Sequence, residues 1–226
     1  MRGFLFLGLL FLSISSVFGQ DRQTFFTGFF PELSLTKKLE NSNKLNFKVE
    51  NQHVMYDNRI GDKLQFDHYR TDVMGFYDWK LTASTSAAIG LFHRFQDGAD
   101  GNRIIQQYAF LNRLRSFQVG HRLRTDQTFT KGQNVEWRLR YRIASEIPLS
   151  GAKLDPGESY FLISSEPIFS LKGGSFNLEN RLIFTLGKLY PKNQKLEYSI
   201  DYRTDGFFNN RFRTRLWPKI GYYYNF

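Results

Sequence analysis

The chain has 226 residues with 31 Lys and Arg against 21 Asp and Glu, a formal net charge of +10, and no cysteine. The length suits one domain, and the lack of cysteine excludes a disulfide framework and any thiolate metal site. Aromatic residues make up 17% of the chain although the mean hydropathy is negative, a combination typical of strands with two chemically opposite faces.

Residues 1–19 have the pattern of a secretory signal peptide. Arg2 gives a short positive start, a long uncharged run follows, and small residues precede Gln20, where we expect cleavage. The alternative is an uncleaved anchor, for which the apolar core is short against the roughly 20 residues that a membrane-spanning helix needs. We therefore expect export to the periplasm, with residues 20–226 as a single domain.

After Gln20 the chain divides into strand-length segments separated by turn residues, and no stretch is apolar for long enough to form a membrane-spanning helix. The segments run approximately 27–39, 44–56, 69–82, 86–96, 103–113, 116–128, 134–147, 159–171, 175–189, 195–206 and 211–226. Soluble strands centre on about 5–6 residues, whereas tilted transmembrane strands need about 9–11. Segment length favours transmembrane strands.

The alternation of apolar and charged side chains with a period of two also favours transmembrane strands. In residues 135–143 apolar side chains alternate with Glu136, Arg138, Arg140 and Arg142. A soluble β-sandwich also alternates and is the competing interpretation. Large aromatics near strand ends and dense rows of mixed-sign charge favour an antiparallel transmembrane β-barrel with an apolar outer face and a charged interior.

The last segment carries a specific pattern. Phe226 ends the chain, and Tyr224 and Tyr222 share its face at alternate positions. An aromatic C-terminus of this kind resembles the signal that outer-membrane insertion machinery reads. The alternative is an ordinary edge strand.

The number of strands is not fixed by these segments. We delineate eleven, but single-chain bacterial barrels normally have an even number. We predict about twelve strands, with the extra one in Thr24–Phe30 or in Arg59–His68, and ten if one weak segment is a loop. Either number is below the 16–18 strands that enclose a wide aqueous channel.

A narrow interior must compensate the charges that point into it, because an unpaired buried charge is costly. We predict that an ionic network of mixed sign fills the lumen, and its members are Arg122, Arg124, Glu136, Arg138, Arg140, Arg142, Glu179, Arg181, Glu197, Asp201, Arg203, Arg213 and Arg215. The excess of Arg over acid leaves an anion-selective pore as the alternative to structural filling.

From Lys80 onward the chain resembles an uncharacterised family of Gram-negative outer membranes, domain of unknown function 2490. The motifs that carry the resemblance are Gly120-His121-Arg122-Leu123-Arg124-Thr125-Asp126, Glu136-Trp137-Arg138-Leu139-Arg140-Tyr141-Arg142, Ser164-Ser165-Glu166-Pro167-Ile168-Phe169, Asn180-Arg181-Leu182 and Gly221-Tyr222-Tyr223-Tyr224-Asn225-Phe226. The part before Lys80 matches weakly. The resemblance implies an outer-membrane β-barrel without an assigned activity and brings no catalytic residues.

An enzymatic barrel that cleaves or acylates membrane lipids is the second function class. It requires a nucleophile within hydrogen-bond reach of a base, and the candidates on the apolar face are His121, His93 and Ser165. No motif pairs the serine with either histidine. The alternative is that both histidines lie at headgroup depth in a structural role.

The sequence contains little that predicts a cofactor, a metal or a nucleic-acid partner. The Asp97–Asn102 loop offers oxygen ligands but lacks the EF-hand spacing, so we expect a solvated turn and no metal or cofactor. Nucleic acid is not expected, because the basic residues alternate along strands instead of forming one patch. The expected partners are outer-membrane lipid, the phosphates of lipopolysaccharide and the insertion machinery.

Overall fold

The computed structural model describes residues 24–61, 63–114, 117–151, 153–208 and 212–226. The predicted signal peptide, residues 1–19, lies outside them. The strands are β1 (Thr24–Lys38), β2 (Lys44–Asp57), β3 (Asp67–Lys80), β4 (Thr85–Gln96), β5 (Gly101–Arg113), β6 (Gln118–Thr130), β7 (Glu136–Pro148), β8 (Ser159–Lys172), β9 (Ser175–Tyr190), β10 (Gln194–Asp205) and β11 (Arg213–Asn225). A 3-10 turn, Pro191–Asn193, joins β9 to β10. The described residues include no helix long and apolar enough to cross a membrane.

The strands form one closed sheet, which confirms the predicted all-β barrel. Each strand pairs antiparallel with the next along the chain, and the barrel closes where β11 pairs with β1. That last pairing is parallel, with Phe30 opposite Lys219 and Thr36 opposite Asn225. We call the end that holds Thr24 the N-terminal mouth and the opposite end, which holds Phe226, the C-terminal mouth.

The prediction of twelve strands is wrong for the described residues, which form eleven, and so is the alternative of ten. Successive strands of a meander alternate in direction, so an odd number leaves the first and last strands running the same way. Parallel strands can also hydrogen-bond, and closure therefore does not require an even count. The Lys38 amide donates to the Phe226 carbonyl at 2.8 Å, and the Phe226 amide donates to the Thr36 carbonyl at 2.9 Å.

Neither proposed location holds an extra strand. Thr24–Phe30 is the beginning of β1. This strand continues through Pro31, which lies opposite Ile220 of β11. The described residues of Arg59–His68 form a turn until β3 begins at Asp67.

A contact between neighbouring charges orders the beginning of this turn. The guanidinium Nε of Arg59 donates to the Asp57 carboxylate at 2.9 Å, and so does its backbone amide. The guanidinium hydrogen bond raises the pKa of Arg59 above its ordinary value. The Arg59 amide and guanidinium therefore hydrogen-bond within the turn and do not take part in a strand ladder.

A close approach near the N-terminal mouth requires glycine at position 28. The β1–β2 register shifts between Thr27 and Gly28. A Cβ at Gly28 would lie 1.8 Å from the carbonyl oxygen of His53 and 2.9 Å from the ring of Trp217. Any larger residue would push the two strands apart, so this glycine fixes the local bulge.

The outer face of the barrel is largely apolar and the inner face is largely charged, the reverse of the distribution in a water-soluble domain. Leu91 and Leu186, on the outer face, are 68% and 52% exposed, whereas Asp126 and Asp201, on the inner face, are 0% and 2% exposed. In a water-soluble domain large apolar side chains are mostly buried and acidic ones mostly exposed.

The interior also contains an apolar cluster close to the N-terminal mouth. Phe26 and Trp217 are completely buried and meet edge to face at 5.7 Å, and the Phe30 ring lies 6.4 Å from Trp217. Val54 and Tyr69 pack against them. We call these five residues the Trp217 cluster. A second group, Met74, Phe92 and Ile105, lies farther round the barrel.

Candidate functional site

The lumen is the candidate site, because charged side chains from all parts of the barrel converge there. The residues predicted for the ionic network all lie at inward-facing strand positions. Several acidic partners were not among them and become evident only from the fold: Glu32, Glu50, Asp72, Asp126, Glu166 and Asp205.

One connected group of five charged residues spans β6, β7 and β8. Glu166 lies between two cations, since Arg122 and Arg140 each donate to one of its oxygens at 2.7 Å. Arg140 also lies 3.4 Å from the buried Asp126, to which Arg138 donates at 2.9 Å. Three guanidinium groups thus share two carboxylates, and charge is balanced only in part.

A second group joins β9, β10 and β11. Glu179 accepts from Arg181 at 2.5 Å and from Arg215 at 2.9 Å. Arg215 also reaches Asp205, to which Arg213 donates at 3.0 Å. Next to this group Arg203 forms a bidentate pair with Asp201 two residues earlier on the same strand face. Bidentate pairs have a fixed geometry and hold both side chains in place.

Two smaller groups lie on β1, β2 and β11, where the barrel closes, and on the neighbouring β3 and β4. Glu32 of β1 accepts from Lys48 of β2 at 2.9 Å and from Lys219 of β11 at 2.5 Å, while Lys48 also contacts Glu50 at 2.6 Å. Asp72 of β3 is held by both the Nε and an Nη atom of Arg94 at 2.7 Å. A buried ion pair contributes little net stability, but removal of one partner leaves a costly unpaired charge.

Some interior arginines use other partners. Arg124 donates to Gln107 at 2.6 Å, and Arg103 donates to Thr128 at 2.9 Å while its guanidinium lies 4.1 Å from the centre of the Phe92 ring. Such contacts satisfy donors without neutralising charge. The lumen consequently keeps an excess of positive charge.

Aromatic side chains of the interior are tied into the ionic lining. The Tyr160 hydroxyl donates to Glu197 at 2.5 Å, and the ring lies over Gly187, where an added Cβ would be 2.3 Å away. Arg203 lies over the Phe30 ring at 5.5 Å and Arg215 over the Phe26 ring at 6.0 Å. The sequence does contain a signal for these interior aromatics, because Trp217 alternates in register with the inward residues Arg215 and Lys219 on the same strand. These aromatics were not predicted as lumen residues, because the alternation pattern assigns large aromatics to the outer face.

The three catalytic candidates lie on the outer face and do not assemble. His121 of β6 and Ser165 of β8 both lie opposite Ile143 of β7, so two strand spacings, about 10 Å, separate them. The two ring nitrogens of His121 lie 2.7 Å from the Tyr141 hydroxyl and 3.4 Å from the Asn112 amide.

His93 lies on β4, closer to the N-terminal mouth. Its Nδ1 is 2.8 Å from Asn102, and its Nε2 is 3.7 Å from Asp100. These contacts place no nucleophile beside the ring. The geometry therefore gives the second function class no serine–histidine pair among these candidates.

No group of three or more metal-binding side chains occurs among the residues that the structure describes. The Asp97–Asn102 segment forms the β4–β5 turn and the beginning of β5, and Asp100 accepts from the Gln96 amide at 3.4 Å. At the C-terminus the Tyr224 and Phe226 rings lie 5.3 Å apart, and Tyr222 lies opposite Leu33 of β1.

Comparison with known proteins gives one match. The model of the family DUF2490, described as a protein of unknown function, matches residues 27–214. No curated protein and no solved structure matches the chain.

Proposed function

This chain belongs to DUF2490, a family of proteins of unknown function, and from that premise we propose that it is an outer-membrane β-barrel with a structural role in the envelope. In this proposal a signal peptide directs the chain to the periplasm of a Gram-negative bacterium, and the packed lumen keeps the inserted barrel rigid and closed.

The observation that carries the proposal is the inside-out distribution of polarity. Apolar side chains occupy the outer face along the strands, and the most exposed include Leu91, Leu139, Leu186 and Ile200. An exposed apolar surface of this extent is unfavourable in water but is what a lipid bilayer requires. Closure of the sheet also leaves no unpaired strand edge in the hydrocarbon region.

Aromatic residues on the outer face support the same placement. Near the N-terminal mouth they are Phe95, Phe129, Trp137 and Phe176, and near the C-terminal mouth they are Trp79, Tyr190, Tyr222 and Phe226. Transmembrane barrels carry such girdles at both membrane interfaces. The Lys188 ammonium lies 5.5 Å from the Tyr190 ring, and in this proposal it pairs with lipopolysaccharide phosphate at that depth.

The filled lumen supports a structural role over an open channel. The Trp217 cluster and the ionic groups occupy the space through which ions would pass. About eight strands leave a barrel interior that side chains can fill, whereas 16–18 strands enclose water. Eleven strands with this lining are closer to the first case.

Two measurements test the proposal. Folded barrels resist SDS until they are boiled, so the purified protein should show a heat-modifiable shift in gel migration. In planar bilayers it should insert without steady conductance. A chain that migrates identically before and after boiling would contradict the barrel in detergent, and large stable conductance would contradict the closed lumen.

A further inference from the structure

A cavity of about 480 Å³ opens at the C-terminal mouth. Most of its polar lining comes from inward positions of β2 to β7 and from the β3–β4 turn, while Phe110 and His121, at outward positions, also border it. The volume lies within the range of sites that hold small molecules, about 300–1,000 Å³.

The strand register explains why the space is empty of side chains. One row crosses five neighbouring strands in the order Lys80, Ser86, Ala109, Arg122 and Arg142. Ser86 and Ala109 are small, so they form the floor of the cavity, and cationic residues flank them on both sides of the row. Gly120 and Ala144, the pair next to Arg122 and Arg142 toward the mouth, also leave space.

The charges around the floor are not balanced. Arg122 and Arg142 lie directly opposite each other, an arrangement of like charges that destabilises a strand pair. Arg122 is compensated by Glu166, whereas Arg142 forms no ion pair with any described carboxylate. The Nε atoms of both arginines are buried without a hydrogen-bond partner among the described residues.

The described lining of the cavity contains few carboxylate side chains. Lys44, Lys80 and Arg113 also line it, and Asp78 is the single carboxylate in the described lining. Asp78 lies opposite Lys44 and accepts a hydrogen bond from Ser86 at 3.2 Å. Cations therefore outnumber carboxylates in the described lining of the cavity.

We propose that this cavity binds a small, water-soluble molecule through a phosphate group. Paired guanidinium groups match the geometry of phosphate oxygens, and a dianion between Arg122 and Arg142 would relieve their repulsion. Lys80, on the far side of the floor, would contact the same ligand. Because Arg122 and Arg142 lie at inward positions, the ligand would reach them from the aqueous mouth and not as a lipid headgroup held in the bilayer.

Calorimetric titration of the folded barrel in non-ionic detergent with inorganic phosphate tests the site. We expect saturable binding that weakens as salt rises, because the attraction is electrostatic. Arg142→Gln should lower the affinity about tenfold, since a charge-assisted hydrogen bond is lost, and Arg142→Lys should lose less. Lys131→Gln, which removes the same charge from a turn at the opposite mouth, should have no effect.

A second variant separates lost space from lost charge. Ala109→Leu fills the floor without a change of charge and should abolish binding, while circular dichroism verifies that strand content is kept. No saturation at millimolar phosphate, or equal affinity in wild type and Arg142→Gln, would overturn the site. Competition by vesicles that contain anionic phospholipid would overturn the assignment to a water-soluble ligand.

The site does not depend on membrane embedding, because the cavity belongs to the barrel itself. Failure of phosphate binding in a heat-modifiable protein would count against the site alone. Binding by a protein that is soluble without detergent would count against the membrane proposal alone.

Discussion

Lys219 donates a hydrogen bond at 2.5 Å to Glu32, and this contact spans the parallel seam between the last and first strands, 187 residues apart in the chain. Glu32 also binds Lys48 of the neighbouring β2, so one buried carboxylate links three strands where the barrel closes. A specific ionic contact therefore bridges the closure in addition to the strand ladder.

Glu32→Gln should weaken closure, because it leaves Lys219 without its anion and removes one of the two carboxylates that bind Lys48. Loss of one partner of a buried pair costs about 3–5 kcal/mol, so we expect unfolding at clearly lower urea concentration, measured by tryptophan fluorescence in detergent. Glu40→Gln, an exposed neutralisation in the β1–β2 turn, is the matched control. Equal midpoints for both variants and the wild type would show that the seam does not rely on this contact.

Trp217→Ala should open the lumen near the N-terminal mouth. The side chain is fully buried against Phe26 and Phe30, and such a truncation costs about 3–5 kcal/mol in stability. We expect bilayer conductance above that of the wild type. Leu216→Ala, the outward neighbour on the same strand, should leave conductance unchanged, and a closed Trp217→Ala barrel would mean that other residues block the lumen.

Leu91→Arg distinguishes lipid from water at the outer face. In a bilayer a charge near the middle of a lipid-facing strand costs about 2–4 kcal/mol, whereas on a water-exposed wall it costs little. We expect impaired folding of Leu91→Arg into vesicles, scored by the heat-modifiable fraction. Leu64→Arg, at an 80% exposed position in the β2–β3 turn, should fold normally. Equal folding of both variants argues that lipid does not contact Leu91.

An odd strand count places the first and last described strand ends at opposite mouths, so in the proposed membrane barrel they would lie on opposite sides of the membrane. The native chain has no cysteine, so single cysteines at Thr24 and Asn225 can be labelled without interference. A membrane-impermeant maleimide added to intact cells should label one of them, and the other should react only after permeabilisation. Labelling of both from the same side would indicate an even number of strands.

Alternation in the sequence was sufficient to locate the strands. The segment 44–56 corresponds to β2 and 159–171 to β8, each within one residue. Long strands with a strict period of two leave little ambiguity, and turn residues mark their ends. The predicted count of twelve is wrong because the sheet closes through a parallel β1–β11 pair, which permits the odd number of segments that the sequence shows.

The composition of the lumen could be predicted only in part. Parity identifies inward arginines such as Arg140, but its partners Asp126 and Glu166 come from two other strands. Which carboxylate meets which guanidinium depends on register and closure, and one sequence contains neither. The cavity at the C-terminal mouth was hidden for the same reason, because its floor combines small residues from separate strands.

Fractionation of cells that express the full chain tests the central claim most directly. If apolar side chains face lipid and paired ions face a closed interior, the processed protein should remain with the outer membrane after alkaline carbonate extraction and should require detergent for release. Recovery of a folded monomer in the aqueous supernatant without detergent would contradict the account.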